Sequence, residues 1–148
     1  MAASASSAPP SPTTGTESGL SLRFWGGLVL LFFLLTSAVG GSLSLESPYL
    51  IVTLASHIGL AVVTLVLAGY ATSFVGRSYT AVPRAGAALS ALAALGATIA
   101  GTVFLVAGHS EGALDAMEGL AGIGLLAALV MIVFGGPSGK RGTASLPP

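Results

Sequence analysis

The sequence contains no cysteine, which excludes disulfides, thiolate metal sites and cysteine nucleophiles. It is nearly as poor in charge. Only 7% of its 148 residues are Asp, Glu, Lys or Arg, against about 25% in an ordinary soluble domain. Five basic and five acidic residues cancel, so no bulk attraction to nucleic acid is expected. No H-E-x-x-H pair, no Ser-His-Asp spacing, no glycine-rich phosphate loop after a strand and no basic-aromatic surface can be read along the chain.

Apolar residues fill the space: 53% of the sequence is hydrophobic and its mean hydropathy is +0.94. A water-facing surface cannot be built from this composition, so the solvent is lipid. Four uncharged runs, Phe24 to Leu45, Ser47 to Gly76, Ala85 to Gly108 and Gly119 to Gly139, are long enough to cross a bilayer, which takes about 20 residues. The runs are continuously apolar and do not alternate, which predicts helices and not barrel strands. The expected spans are approximately 22–43, 48–76, 84–108 and 111–135. Pro48 suits the first turn of the second helix, Pro83 stands just before the third, and Pro137 follows the fourth after "FGG".

The flanking segments have another character. Residues 1–21, "MAASASSAPPSPTTGTESGLS", and residues 137–148 are rich in Ala, Ser, Pro, Thr and Gly and read as disordered cytoplasmic tails. The first tail lacks the basic start of a signal peptide, and the run after it is too long for one.

The charges sort by side. Arg23, Arg77, Arg84, Lys140 and Arg141 fall at one end of the spans; Glu46, Glu111, Asp115 and Glu118 fall at the other. The positive-inside rule then makes both termini cytoplasmic, most simply in a prokaryotic plasma membrane. Trp25 and Tyr79 flank the inner boundary and Tyr49 the outer one. Short connections predict an up-down-up-down four-helix bundle. Small residues at Ala93, Ala97 and Gly101, and at Gly119, Gly122 and Gly124, supply faces for close helix approach.

An internal repeat is visible at a shift of sixty. Leu35, Gly41, Leu45, Leu54, Gly59, Leu60, Ala61, Leu65 and Ala68 meet the same residue type sixty positions on, nine matches in 34 positions without a gap. On this reading the chain is a duplicated helical hairpin. The shift sets His57 opposite Met117, each two residues before a "GLA" and at similar depth in the outer half of the membrane.

An ionisable residue inside a span is costly and usually has a role. The sharper reading of His57 is an axial haem ligand, with Met117 or His109 as its partner. Imidazole and thioether form a known axial pair. Gly59, Ala61, Gly119 and Ala121 would leave room for the ring, and His109 would meet the propionates. The acids Glu111, Asp115 and Glu118 oppose them, and no arginine stands on that side. The plainer reading of His57 is a structural polar residue bonded to Thr53, Ser56, Thr98 or Thr102. Met117 has an equally plain alternative as an apolar gap filler. His109, Glu111, Asp115 and Glu118 could hold a divalent cation at the outer surface, although solvated loop residues are the ordinary reading. Glu118 faces a polar cavity or marks the start of its span.

The stretch "AVGGSLSLESPYLIVTLASHIGLAVVTLVLAGYA" resembles a hairpin of the haem A synthases, the cytochrome oxidase assembly proteins. The resemblance covers the four spans and rests on one His plus hydropathy. It implies a four-helix bundle holding haem through the second and fourth helices, with His57 where the second-helix His falls. The chain departs from that family at Thr53 and Gly59, where a catalytic Glu and an Arg would stand, and at Met117, where a second His would stand. The resemblance therefore implies a haem-b-binding protein of the respiratory chain or of oxidase assembly, with the family's oxidation of the haem side chain in doubt. The alternative is a small non-catalytic accessory subunit that packs against a larger membrane complex, or against its own copies, without a cofactor. A transporter or channel fits less well, because intramembrane charges are few.

Overall fold

The computed structural model describes residues 21–42, 48–75, 79–107 and 109–136. Among these residues the structure is all-helical: α1 (Leu22–Gly41), α2 (Leu50–Phe74), α3 (Ala81–Val106) and α4 (Glu111–Phe134). Helices of 20, 25, 26 and 24 residues rise about 30 to 39 Å at 1.5 Å per residue, enough for a hydrocarbon core about 30 Å thick. All four are long and apolar enough to cross a membrane. The expectations for the tails and for Leu45, Glu46, Ser47, Gly76, Arg77, Gly108, Pro137, Lys140 and Arg141 lie outside the described residues.

Two helix starts differ from the sequence reading. Pro48 lies in a turn ahead of α2, whose first residue is Leu50; the Tyr49 carbonyl accepts from the Thr53 N–H at 3.0 Å and from its hydroxyl at 3.0 Å. Pro83 lies inside α3, third from its start, and is buried. A first-turn proline breaks no intrahelical bond, because the N–H it lacks would have no helical acceptor. Helix α4 begins as expected: Ser110 accepts the Ala113 N–H at 3.3 Å, and Glu111 opens the first turn.

Each helix packs on two neighbours, α1 on α2 and α4, and α3 on α2 and α4, with α3 against α4 the most extensive interface. Small residues set the approach. The position of a Cβ on Gly26 of α1 would lie 2.9 Å from Met131 of α4, and one on Gly124 of α4 would collide with Cζ and both Cε atoms of the Phe33 ring. Gly86 of α3 sits against the Ala127 carbonyl and Val130, and the buried Ser90 hydroxyl donates to the Gly124 carbonyl at 3.3 Å. The core comprises Leu22, Val29, Phe33, Ala68, Ala71, Ala87, Ala94, Ala128 and Met131.

This core occupies one end of the bundle. The last buried residue of α1 is Phe33 and the first of α2 is Thr64; the last of α3 is Ala94 and the first of α4 is Gly124. Arg23 and Arg84 lie at the packed end. The other end, which carries His57, Met117 and the acids of α4, has only half-buried and exposed residues.

Candidate functional site

Two polar contacts tie α1 to α2 at the edge of the loose half. The hydroxyls of Thr36 and Thr64 lie 3.1 Å apart. Each is also 2.7 Å from the carbonyl four residues back, Phe32 for Thr36 and Leu60 for Thr64. Two hydroxyl protons face three contacts, so a bond across the interface forms when one threonine releases its own-helix carbonyl and donates to the other.

About two turns nearer the start of α2, His57 reaches α1. Its Nδ1 lies 3.0 Å from the Thr36 carbonyl oxygen. A carbonyl only accepts, so Nδ1 carries the proton and donates. In the neutral ring Nε2 then keeps its lone pair, and it makes no hydrogen bond among the described residues. The ring is half-buried and lies on Gly40, where a Cβ would come within 2.7 Å of Cε1 and 3.0 Å of Nδ1. The partners expected for His57 are used elsewhere: Thr98 and Thr102 donate to Ala94 and Thr98 carbonyls on their own helix, Thr53 to Tyr49, and Ser56 is exposed. The actual acceptor is a backbone atom, which no residue type announces. The Gly40-Gly41 pair was the available signal, since paired glycines admit a close neighbour.

Met117 occupies the corresponding place on α4. From residue 51 to 64 the pattern of exposed and inward positions repeats from 111 to 124, apart from position 62 against 122. His57 and Met117 are equivalent inward positions in that pattern. Each rests on a glycine of the preceding helix, His57 on Gly40 and Met117, through Sδ, at 3.3 Å from the place of a Cβ on Gly101. Level follows from the α1–α4 register. Gly26 meets Met131 and, seven residues on, Phe33 meets Gly124; one further step of seven brings Gly40 level with Met117. The two candidate ligands thus share a layer but face different neighbours, His57 facing α1 and Met117 facing α3.

Gly59 and Gly119 are exposed, with no atom of another element near the place of a Cβ. Two residues past an inward position is about 200° around a helix, so both turn away from the bundle and do not flank His57. Ala61 and Ala121 are half-buried on the inward side. His109 is exposed beyond the end of α3, in the left-handed region at φ 66°, with its N–H on the Phe104 carbonyl at 2.9 Å and its ring edge-on to Phe104 at 5.0 Å. Glu111, Asp115 and Glu118 are exposed, and no three acidic or histidine residues among those described gather as a metal site. A groove of about 390 Å³ between α3 and α4, lined by residues such as Val82, Gly86, Leu126 and Val130, lies in the packed half, away from His57.

The fit to a haem is therefore uneven. A metal-bound histidine ordinarily donates its other ring N–H to a carbonyl or carboxylate, and His57 is held in that way. Met117 supplies a thioether in the same layer, but seated on Gly101. Comparison with known proteins gives no match: no family model, no curated protein and no solved structure is similar to this chain.

Proposed function

We propose that the chain is an integral-membrane protein that binds haem b through Nε2 of His57, in the respiratory chain or in oxidase and haem assembly. One observation carries this reading: Nδ1 of an intramembrane histidine is committed to a backbone carbonyl, which leaves Nε2 as the donor for iron. The haem would supply one-electron chemistry, and Met117 would serve as second ligand only after leaving Gly101. The bundle runs up-down-up-down as two copies of one hairpin, with the basic end and both termini in the cytoplasm of a prokaryote. The repeated pattern of inward positions supports the duplication. Kinship with haem A synthases rests on the His57 hairpin alone. With Thr53 and Gly59 at the positions of that family's Glu and Arg, the reading assigns no oxidation of the haem side chain.

The test is a reduced-minus-oxidised spectrum of protein purified in detergent from haem-replete cells, wild type beside His57→Ala. Soret and alpha bands that disappear in the variant are expected. Their absence from the wild type overturns the haem; their survival in His57→Ala overturns the ligand.

A second reading has its own support. Gly59, Gly112 and Gly119 are exposed and meet nothing from another element, although helical glycine is unfavourable without a close neighbour. Outward glycines suit a cofactor-free accessory subunit docked on other membrane helices. A colourless wild-type protein favours that reading.

A further inference from the structure

We propose that Gly40 and the Thr36 carbonyl form a socket that fixes the tautomer and direction of the His57 ring, which makes Gly40 the positioning residue for Nε2. The use of that nitrogen rests on the haem reading; the socket itself rests only on the packing of α1 against α2.

The geometry has two parts. The carbonyl at 3.0 Å takes the Nδ1 proton, so the neutral ring has its lone pair on Nε2. The missing Cβ at Gly40 lets the ring lie flush on α1. A methyl group there would stand 2.7 Å from Cε1, 3.0 Å from Nδ1 and 3.6 Å from Nε2, closer to the ring carbon than packed carbon atoms come. The ring is the free end of a side chain, so it is the ring that would give way, and its only path is off the carbonyl. Gly41, next in sequence, has nothing within 4 Å of the place of its Cβ. The two glycines share helix and chemistry and differ in whether a ring covers them. Met117 on Gly101 repeats the arrangement in the other hairpin, with a thioether that needs no tautomer and has no carbonyl bond.

The experiment is nitrogen-15 NMR of the His57 ring in the full-length, haem-free protein in detergent, above the pH at which imidazole is charged. The wild type should show a protonated Nδ1 and a bare Nε2. Gly40→Ala should lose that pattern, while Gly41→Ala keeps it. A wild-type ring protonated on Nε2 overturns the socket even if Gly40→Ala fails to fold. A Gly40→Ala ring identical to the wild type overturns the role of Gly40. Haem titration of the same three proteins is read separately. If the wild type binds haem, Gly40→Ala should bind about 10- to 100-fold more weakly, the usual cost of losing an outer partner of a ligand, and Gly41→Ala should not. Equal affinity in Gly40→Ala and wild type overturns the positioning role. A wild type that binds no haem but has the expected ring nitrogens removes the haem reading and leaves the socket standing.

Discussion

At the scale of single residues, Gly124 and Gly122 pose a controlled comparison. They stand half a turn apart on α4, and alanine is favoured over glycine in a helix by about 1 kcal/mol where nothing else intervenes. At Gly124 the Phe33 ring occupies the space a Cβ would take; at Gly122 the space is open. Gly124→Ala should therefore lower stability by about 1–3 kcal/mol, the usual range for overpacking. Gly122→Ala should be neutral or raise it by up to about 1 kcal/mol. Unfolding in mixed micelles by titration with dodecyl sulfate reads both; equal effects would mean that Phe33 does not seat on Gly124. The sequence shows both glycines as small residues on a packing helix. It cannot show which one lies under a ring, because that depends on where α1 crosses. His57 has the same limit. Its presence in an apolar run was legible, but its acceptor is the Thr36 carbonyl, which every residue type possesses.

At the scale of helices, the elements could be read almost completely, because length and continuous apolarity decide them. Their ends were less legible: Pro83 marks a first turn as easily as it marks a stop. Pairing was not legible at all for Thr36 and Thr64, two of several hydroxyls that could bond their own helices. The structure sets them 3.1 Å apart across the α1–α2 interface. Interhelical hydrogen bonds in membranes couple by about 0.6 kcal/mol on average and by about 1.7 kcal/mol at most. A double-mutant cycle of Thr36→Val and Thr64→Val should return a coupling in that range. Zero coupling would mean that each hydroxyl serves only its own helix. The start of α4 gives a second expectation. Ser110→Ala removes the acceptor for the Ala113 N–H and should cost about 1 kcal/mol, seen as faster hydrogen exchange at Ala113. Unchanged exchange there would assign the start of α4 to the Ser110 carbonyl alone.

At the scale of the whole molecule, burial and charge are both one-sided, and they point along the same axis. Every fully buried side chain of the four helices lies toward the end that carries Arg23 and Arg84, and the exposed acids of α4 lie toward the other. The packed half holds the four helices together, and the loosely packed half leaves His57 between helices where something else can approach. This arrangement is useful only if the axis is the membrane normal, which the charges predict and accessibility can measure. The chain lacks cysteine, so a single introduced thiol reports alone. Arg84 and Glu111 are both exposed, and α3, about 39 Å long, carries the chain from the first of them nearly to the second. In intact cells an impermeant maleimide should label Glu111→Cys and spare Arg84→Cys, which should react only after the membrane is broken. Labelling of both from the same side would place α3 along the membrane surface and end the four-span reading. The reverse pattern, with Arg84→Cys alone reactive, would keep the spans and invert the orientation, carrying the layer of His57 and Met117 to the cytoplasmic half.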